Sequence, residues 1–230
     1  MNELYQLLTD TWNFFKFNLI GICMVIMPFI IPIDIIYTAL EFTYEEGNES
    51  TYWLASLAGM AIYPIYQGAM ILYIASVITG EYLNPKQYYR LALRFWLPLM
   101  ILYVISSVAM TLGLLLLIFP GLIVLSRISF AEFYCILHNK SGLDAFSESW
   151  KETEKDQWLL LKGIIALYIV ITLPIVGAEY ILETIEIWNP VFSFVSGVVS
   201  SLLAPLLTIF SFRVYMRAPE RLNKTNNATP

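Results

Sequence analysis

The chain carries little charge, and two of its loops carry no positive charge at all. Only 13% of residues are charged and 58% are hydrophobic, where soluble domains hold about a quarter charged. With a mean hydropathy of +0.67, the chain is too apolar for a single soluble core. Histidine occurs once, at His138, and cysteine twice, at Cys23 and Cys135, so no metal-ligand spacing exists. Both cysteines lie in apolar runs and read as small buried side chains rather than a disulfide. No His-Glu-x-x-His, nucleophile elbow, Walker loop or dinucleotide fingerprint occurs. The expectation is therefore a protein that is not an enzyme and takes no cofactor. The first 16 residues lack the short apolar core and cleavage site of a secretory signal. The small basic excess on any one segment gives no case for nucleic-acid binding.

What is present is a partition of charge. Twelve of the thirteen Lys and Arg fall in four groups: Lys16; Lys86, Arg90 and Arg94; Lys140, Lys151, Lys155 and Lys162; and Arg213, Arg217, Arg221 and Lys224. Between them, loops 41–52 and 179–189 hold seven Glu and no basic residue. This is the positive-inside pattern of a chain threaded repeatedly through a bilayer. It predicts an even number of crossings, both ends in the cytoplasm, and a bacterial inner (plasma) membrane location. The acids Glu41, Glu45, Glu46 and Glu49 read as a topology feature rather than a cation site. The Asn-x-Ser at Asn48 is a short pattern with meaning only in a glycosylating pathway.

A bilayer core of about 30 Å needs roughly 20 apolar residues in a helix. Apolar runs at 17–40, 53–79, 97–118, 121–138, 159–178 and 191–212 supply six, which predicts an all-α fold with one six-span domain over 1–217 and a disordered cytoplasmic tail over 218–230. Phe119-Pro120-Gly121 reads as a tight hairpin on the outer side. Pro28, Pro32, Pro64, Pro174 and Pro205 interrupt spans, and each frees a carbonyl that a neighbour must satisfy. Two basic-side loops carry amphipathic helices. Asn84-Pro85-Lys86-Gln87 has the residues of a capping box. Beyond it Tyr88, Leu91, Ala92, Phe95 and Trp96 share one face, and Lys86, Arg90 and Arg94 share another, placed for anionic headgroups or as a snorkelling collar. Ser141 opens the second helix, with Leu143, Phe146 and Trp150 on one face. The loop–Trp–Leu plan recurs at Trp96 and Trp158, which hints at two copies of one helix–surface-helix–helix unit.

Charges inside apolar runs are expensive, so Asp34, Arg127 and Glu132 are candidates for function. Counting 1.5 Å per residue suggests two ion pairs, Asp34 with Arg127 and Glu132 with Lys162, either locking the bundle or leaving Arg127 to bind an anionic group. Ser193, Gly197 and Ser201, beside Ser196, Ser200 and Ala204, form a small-residue face for close helix packing in the bundle or for a homodimer seam. Tyr63, Tyr66 and Gln67 are placed to line a polar pocket.

The segment Phe119-Pro120-Gly121-Leu122-Ile123 followed by Arg127, the break at Lys140-Ser141-Gly142, and Ala145-Phe146-x-x-Ser149-Trp150 resemble the YciC family of six-span bacterial inner-membrane proteins. Thr11-Trp12-Asn13-Phe14-Phe15 and Phe212-Arg213-x-Tyr215-Met216 resemble that family's ends. The chain is also similar to the membrane domain attached to some glycerophosphodiester phosphodiesterases. The resemblance implies fold, topology and compartment and supplies no catalytic residue. Two functions follow as expectations. The first is a non-catalytic membrane protein contacting lipids or partner proteins in envelope upkeep. The second is a small permease or lipid flippase using Arg127, Asp34 and Glu132. An intramembrane enzyme ranks below both.

Overall fold

The computed structural model describes residues 2–43 and 49–217, so the expected tail over 218–230, Asn48 and loop acids Glu45 and Glu46 lie outside the described residues. The rest is an all-helical polytopic membrane protein. In chain order come α1 (Asn2–Phe17), α2 (Leu19–Thr43), α3 (Glu49–Thr79), α4 (Pro85–Arg94), α5 (Trp96–Leu116), α6 (Ile118–Arg127), α7 (Ala131–Leu137), α8 (Gly142–Glu152), α9 (Gln157–Thr184), α10 (Pro190–Leu203) and α11 (Pro205–Tyr215). Six stretches are long and apolar enough to cross a membrane: Leu19–Thr43, Ser50–Thr79, Trp96–Leu116, Ile118–Leu137, Gln157–Thr184 and Pro190–Tyr215.

Side-chain register builds an antiparallel bundle from α2, α3, α9 and α10–α11. Along α2 and α3, Gly21 meets Tyr73 and Gly59 meets Tyr37, while Phe29 and Tyr66 rings lie 6.1 Å apart. Ser193 of α10 bonds Glu41 of α2. Gly163 of α9 accommodates the Phe210 ring of α11, and Asp156 pairs with Arg217 at 3.4 Å. One end of this bundle gathers the basic groups. Arg217 also pairs with Glu3, Arg213 lies 5.1 Å over the Phe14 ring, and Lys140 meets Glu148 at 3.2 Å. The other end carries Glu41, Glu179 and Glu183 around one crevice. These are called the basic and acidic ends below.

Proline explains how α4 is held. Helices α2, α3 and α9 run uninterrupted through their prolines, and only Pro205 stands at a break, where α11 begins. A proline at position i leaves the carbonyl of i−4 without its helical donor. For Pro28 that carbonyl belongs to Met24, and the Tyr89 hydroxyl donates to Met24 and Val25 carbonyls, each at 3.0 Å. Burial raises the Tyr89 hydroxyl above the ordinary tyrosine pKa. Near Pro64, the Trp96 indole donates to the Ala61 carbonyl at 2.7 Å.

The expected cap is also present: Asn84 and Gln87 form the full capping box. Tyr88 is buried beside Tyr73 and bonded to Ser76 at 2.6 Å, and Ala92 abuts Gly68. Rising numbers on α4 thus meet falling numbers on α3, so α4 climbs back along α3 with its apolar face spent on the bundle. Lys86, Arg90 and Arg94 remain exposed.

The second amphipathic helix, α8, is N-capped by Ser141. Ser149 accepts from the Phe130 amide at 3.1 Å and donates to the Arg127 carbonyl at 2.6 Å, tying α8 to the break between α6 and α7. Gly142 seats the start of α8 on α5. A methyl group there would stand 2.6 Å from the Pro98 carbonyl oxygen and 2.8 Å from the Leu102 nitrogen.

One feature differs from expectation. The sequence reading puts Phe119 and Trp158 on opposite membrane faces, yet their rings lie 6.2 Å apart. Helix α6 runs beside the first turns of α9 in the same direction, because Leu125 and Ile128 then share a pocket with Ile164. Hydropathy gives a helix length but no direction relative to neighbours, so the pattern alone could not reveal this.

Gly142→Ala is expected to destabilise the protein by about 1–3 kcal/mol, the usual cost of overpacking, because backbone rather than a movable side chain blocks the methyl. Gly177→Ala, where nothing lies within 4 Å, is the control and should be neutral or mildly stabilising. Thermal unfolding of both variants in the same detergent checks the difference.

Candidate functional site

Inside the bundle lies a pocket of about 270 Å³ whose polar lining includes Tyr63, Gln67, Tyr103, Ser129, Glu132 and Thr208. Six helices build it, α6 through Leu125. Gln67 lies mid-way along α3, Tyr103 comes from α5, Glu132 from the first turn of α7, Ile164 from α9 and Thr208 from α11. The Gln67 amide donates to Glu132 Oε2 at 2.8 Å and to Thr208 Oγ1 at 3.1 Å. An amide NH₂ has two hydrogens, so one side chain serves both acceptors. Tyr63 packs edge-on against Tyr66 and Tyr103, with centroids 5.3 and 5.1 Å away. The Tyr103 hydroxyl stands in the field of the Glu132 carboxylate and is buried without a completed hydrogen bond among the described residues.

Chemically, the pocket offers one carboxylate, several hydroxyls and no cation. It suits a proton, a water or a small hydrogen-bonding group. Reaction chemistry would need a nucleophile aligned with a base, and the lining holds no Lys, His or Cys. His138 is engaged elsewhere, its Nε2 lying 2.5 Å from the Tyr215 hydroxyl. Among the described residues no three His, Cys, Asp or Glu side chains come close enough to hold a metal ion.

Neither expected ion pair forms. Arg127 Nη1 donates to the Trp150 carbonyl at 3.0 Å, and its guanidinium lies 5.8 Å over the Trp150 ring. The turn at 128–130 between α6 and α7 separates Arg127 from Glu132, sending the first to α8 and the second to the pocket. Asp34 lies on α2 against α10. A methyl group on Gly197 would sit 3.4 Å from its carboxyl carbon, and its Oδ2 is buried without a hydrogen bond among the described residues. Lys162 is exposed on α9, where its stem can snorkel toward the basic end. The three intramembrane charges therefore belong to three separate environments, and Arg127 does not line the polar pocket.

The small-residue face of α10 divides between two neighbours. Ser193 and Gly197 turn to α2, at Glu41 and Asp34. Ser196 donates to Glu179 of α9. Ser201 is half-buried, and Ser200 and Ala204 stay exposed. Trp188 adds an indole donor to Glu41 at 3.3 Å. At the other end, Lys86, Arg90 and Arg94 are paired with no carboxylate among the described residues.

Gln67 and Tyr63 were legible as pocket residues because polar side chains interrupt an apolar helix. Thr208 and Tyr103 were missed, since a single Thr or Tyr in a span is usually satisfied by its own helix or by an interface. No family model, no curated protein and no solved structure matches the chain.

Gln67→Leu is expected to cost about 1–3 kcal/mol, because it strands the buried Glu132 acceptor. In the Gln67→Leu/Glu132→Leu double variant, part of that loss should return, giving less destabilisation than the sum of the singles. A double-mutant cycle on unfolding midpoints in micelles measures the coupling.

Proposed function

We propose that the protein is a non-catalytic integral membrane protein that binds anionic lipid headgroups at its basic end and serves envelope upkeep in the bacterial inner membrane, with both termini cytoplasmic. Membership of the YciC-like family is part of the same proposal. One observation carries it: α4 presents Lys86, Arg90 and Arg94 outward from a rigid mount. Its Tyr88, Tyr89 and Ala92 are committed to α2 and α3, and its three cations meet no carboxylate of the described chain. An ammonium or guanidinium row held at i, i+4 and i+8 beside apolar surface matches a row of lipid phosphates, at about 1 kcal/mol per cation near an anionic surface.

The pocket around Glu132 favours a second reading, a small permease. It is the weaker one, because a pathway for an anionic substrate would need Arg127, and Arg127 is turned toward Trp150.

The lipid reading predicts that protein purified from mixed membranes retains phosphatidylglycerol or cardiolipin above its bulk share. Lys86→Gln/Arg90→Gln/Arg94→Gln should abolish this enrichment, with apparent affinity down about 100-fold for three lost contacts. Mass spectrometry of co-purified lipids reads the result. Retention at the bulk ratio by the parent would remove the proposal.

A further inference from the structure

We propose that α4–α8 form a re-entrant segment that leaves from and returns to the basic end, its α5–α6 hairpin turning at that end and contacting the acyl chains of one leaflet only. The membrane would then be crossed by α2, α3, α9 and α10–α11. This inference stands independently of the lipid-headgroup reading above.

Length qualifies α5 and α6–α7 for crossing; their neighbours place them otherwise. Helix α4 climbs α3 from Ser76 to Gly68, so α5 begins with Leu99 against Gly68, about 16 Å above the basic end of α3 at 1.5 Å per residue. Continuing the climb would carry the tip of α5 to the acidic end. Instead a one-residue turn at Leu117 joins it to α6, and the Phe119 ring in that first turn lies tilted against Trp158, the second residue of α9. The start of α9 is fixed at the basic end by Asp156 and Arg217. Helix α6 then rises with α9 until Leu125 and Ile128 reach Ile164 in the polar pocket. Because α5 pairs antiparallel with α6, Gly113 against Gly121, α5 must descend toward the basic end.

Three further observations fit this placement. Arg127, the one cation outside the four basic groups, meets Trp150 of α8, next to Lys151. Arg127 is then grouped with the basic side of the molecule through α8. Four crossings, like six, keep both ends together. The tip is strongly apolar, with Leu115, Leu116, Leu117 and Ile118 each 70–77% exposed. Its helix ends leave orphan carbonyls and amides that need polar atoms, and Phe119 and Trp158 are the aromatic pair expected where headgroups begin. The ligand of this surface is therefore lipid chain at the interfacial edge of the basic-end leaflet.

The test uses full-length protein in nanodiscs and sealed proteoliposomes. Cys23 is replaced by Ala, and the fully buried Cys135 is left in place. Lys155→Cys and Glu183→Cys, both exposed, are expected to react with an impermeant maleimide from opposite sides. Spin labels at Leu117→Cys with Lys155→Cys should lie within about 25 Å of each other. Labels at Leu117→Cys with Glu183→Cys should lie beyond about 35 Å, since α9 separates its ends by about 40 Å. The reverse order of distances, or labelling of residues 155 and 183 from the same side, overturns the proposal. The distances do not depend on label reactivity in lipid, and loss of lipid selectivity in the α4 variant leaves them unchanged.

Discussion

The carbonyl of Met24, released by Pro28, has no water to turn to. In an apolar medium every freed backbone group must be met by the protein itself, and here a side chain from another helix meets it. Tyr89 bonds Met24 and Val25, and Trp96 bonds Ala61 near Pro64. Together they fix both ends of α4 to the bundle. The orientation of α4 follows, with Tyr88 and Ala92 inward. From that follows the outward direction of Lys86, Arg90 and Arg94. The basic row is thus a consequence of proline accounting two helices away, and the start of α5 is set by the same two bonds.

Polar groups inside the bundle obey the same constraint less completely. Glu132 is met by Gln67, which also serves Thr208. Asp34 Oδ2, Tyr103 Oη and the Nε atoms of Arg127 and Arg213 are buried without a hydrogen bond among the described residues. Such groups cost about 1–3 kcal/mol each when nothing compensates. Two of the four are partly answered by aromatic faces, Arg127 by Trp150 and Arg213 by Phe14. Tyr103 faces the Glu132 pocket, where the cavity has room for water. The polar interior is thus divided: a carboxyl pocket in the middle, and guanidinium–aromatic contacts toward the basic end.

Much of this was readable in the chain. The six apolar stretches agree with the helices to within a few residues at most ends, because hydropathy and length are local properties. The Asn84 capping box and the Ser141 cap were likewise local. The partners of the charges were not. Pairing Asp34 with Arg127 assumed straight helices and a depth counted from each end, and the turn at 128–130 defeats both assumptions. It sends Arg127 and Glu132, five residues apart, to different neighbours. The direction of α6 beside α9 was also illegible, since an apolar hairpin presents the same composition whether its tip lies at one face or the other. Arg127 did hold the clue. A cation unpaired in the middle of a span is costly, and here the Trp150 carbonyl and ring of α8 meet it.

The two ends of the bundle differ in kind as well as in charge. At the acidic end, helices finish in a crevice where Ser193, Ser196 and Trp188 donate to Glu41 and Glu179, with no amphipathic segment beside it among the described residues. At the basic end, α1, α4 and α8 all pack around the bundle, and the re-entrant placement adds α5 and α6. A body with four helices passing through one leaflet and a wider ring in the other displaces unequal lipid area on its two sides. On the proposed placement, such a shape combined with a cationic rim would favour regions where the basic-end leaflet is anionic and loosely packed, because both the headgroup attraction and the inserted apolar area would act in that leaflet alone. Under the two proposals charge and shape would select the same surface, with the polar pocket around Glu132 inward of that ring.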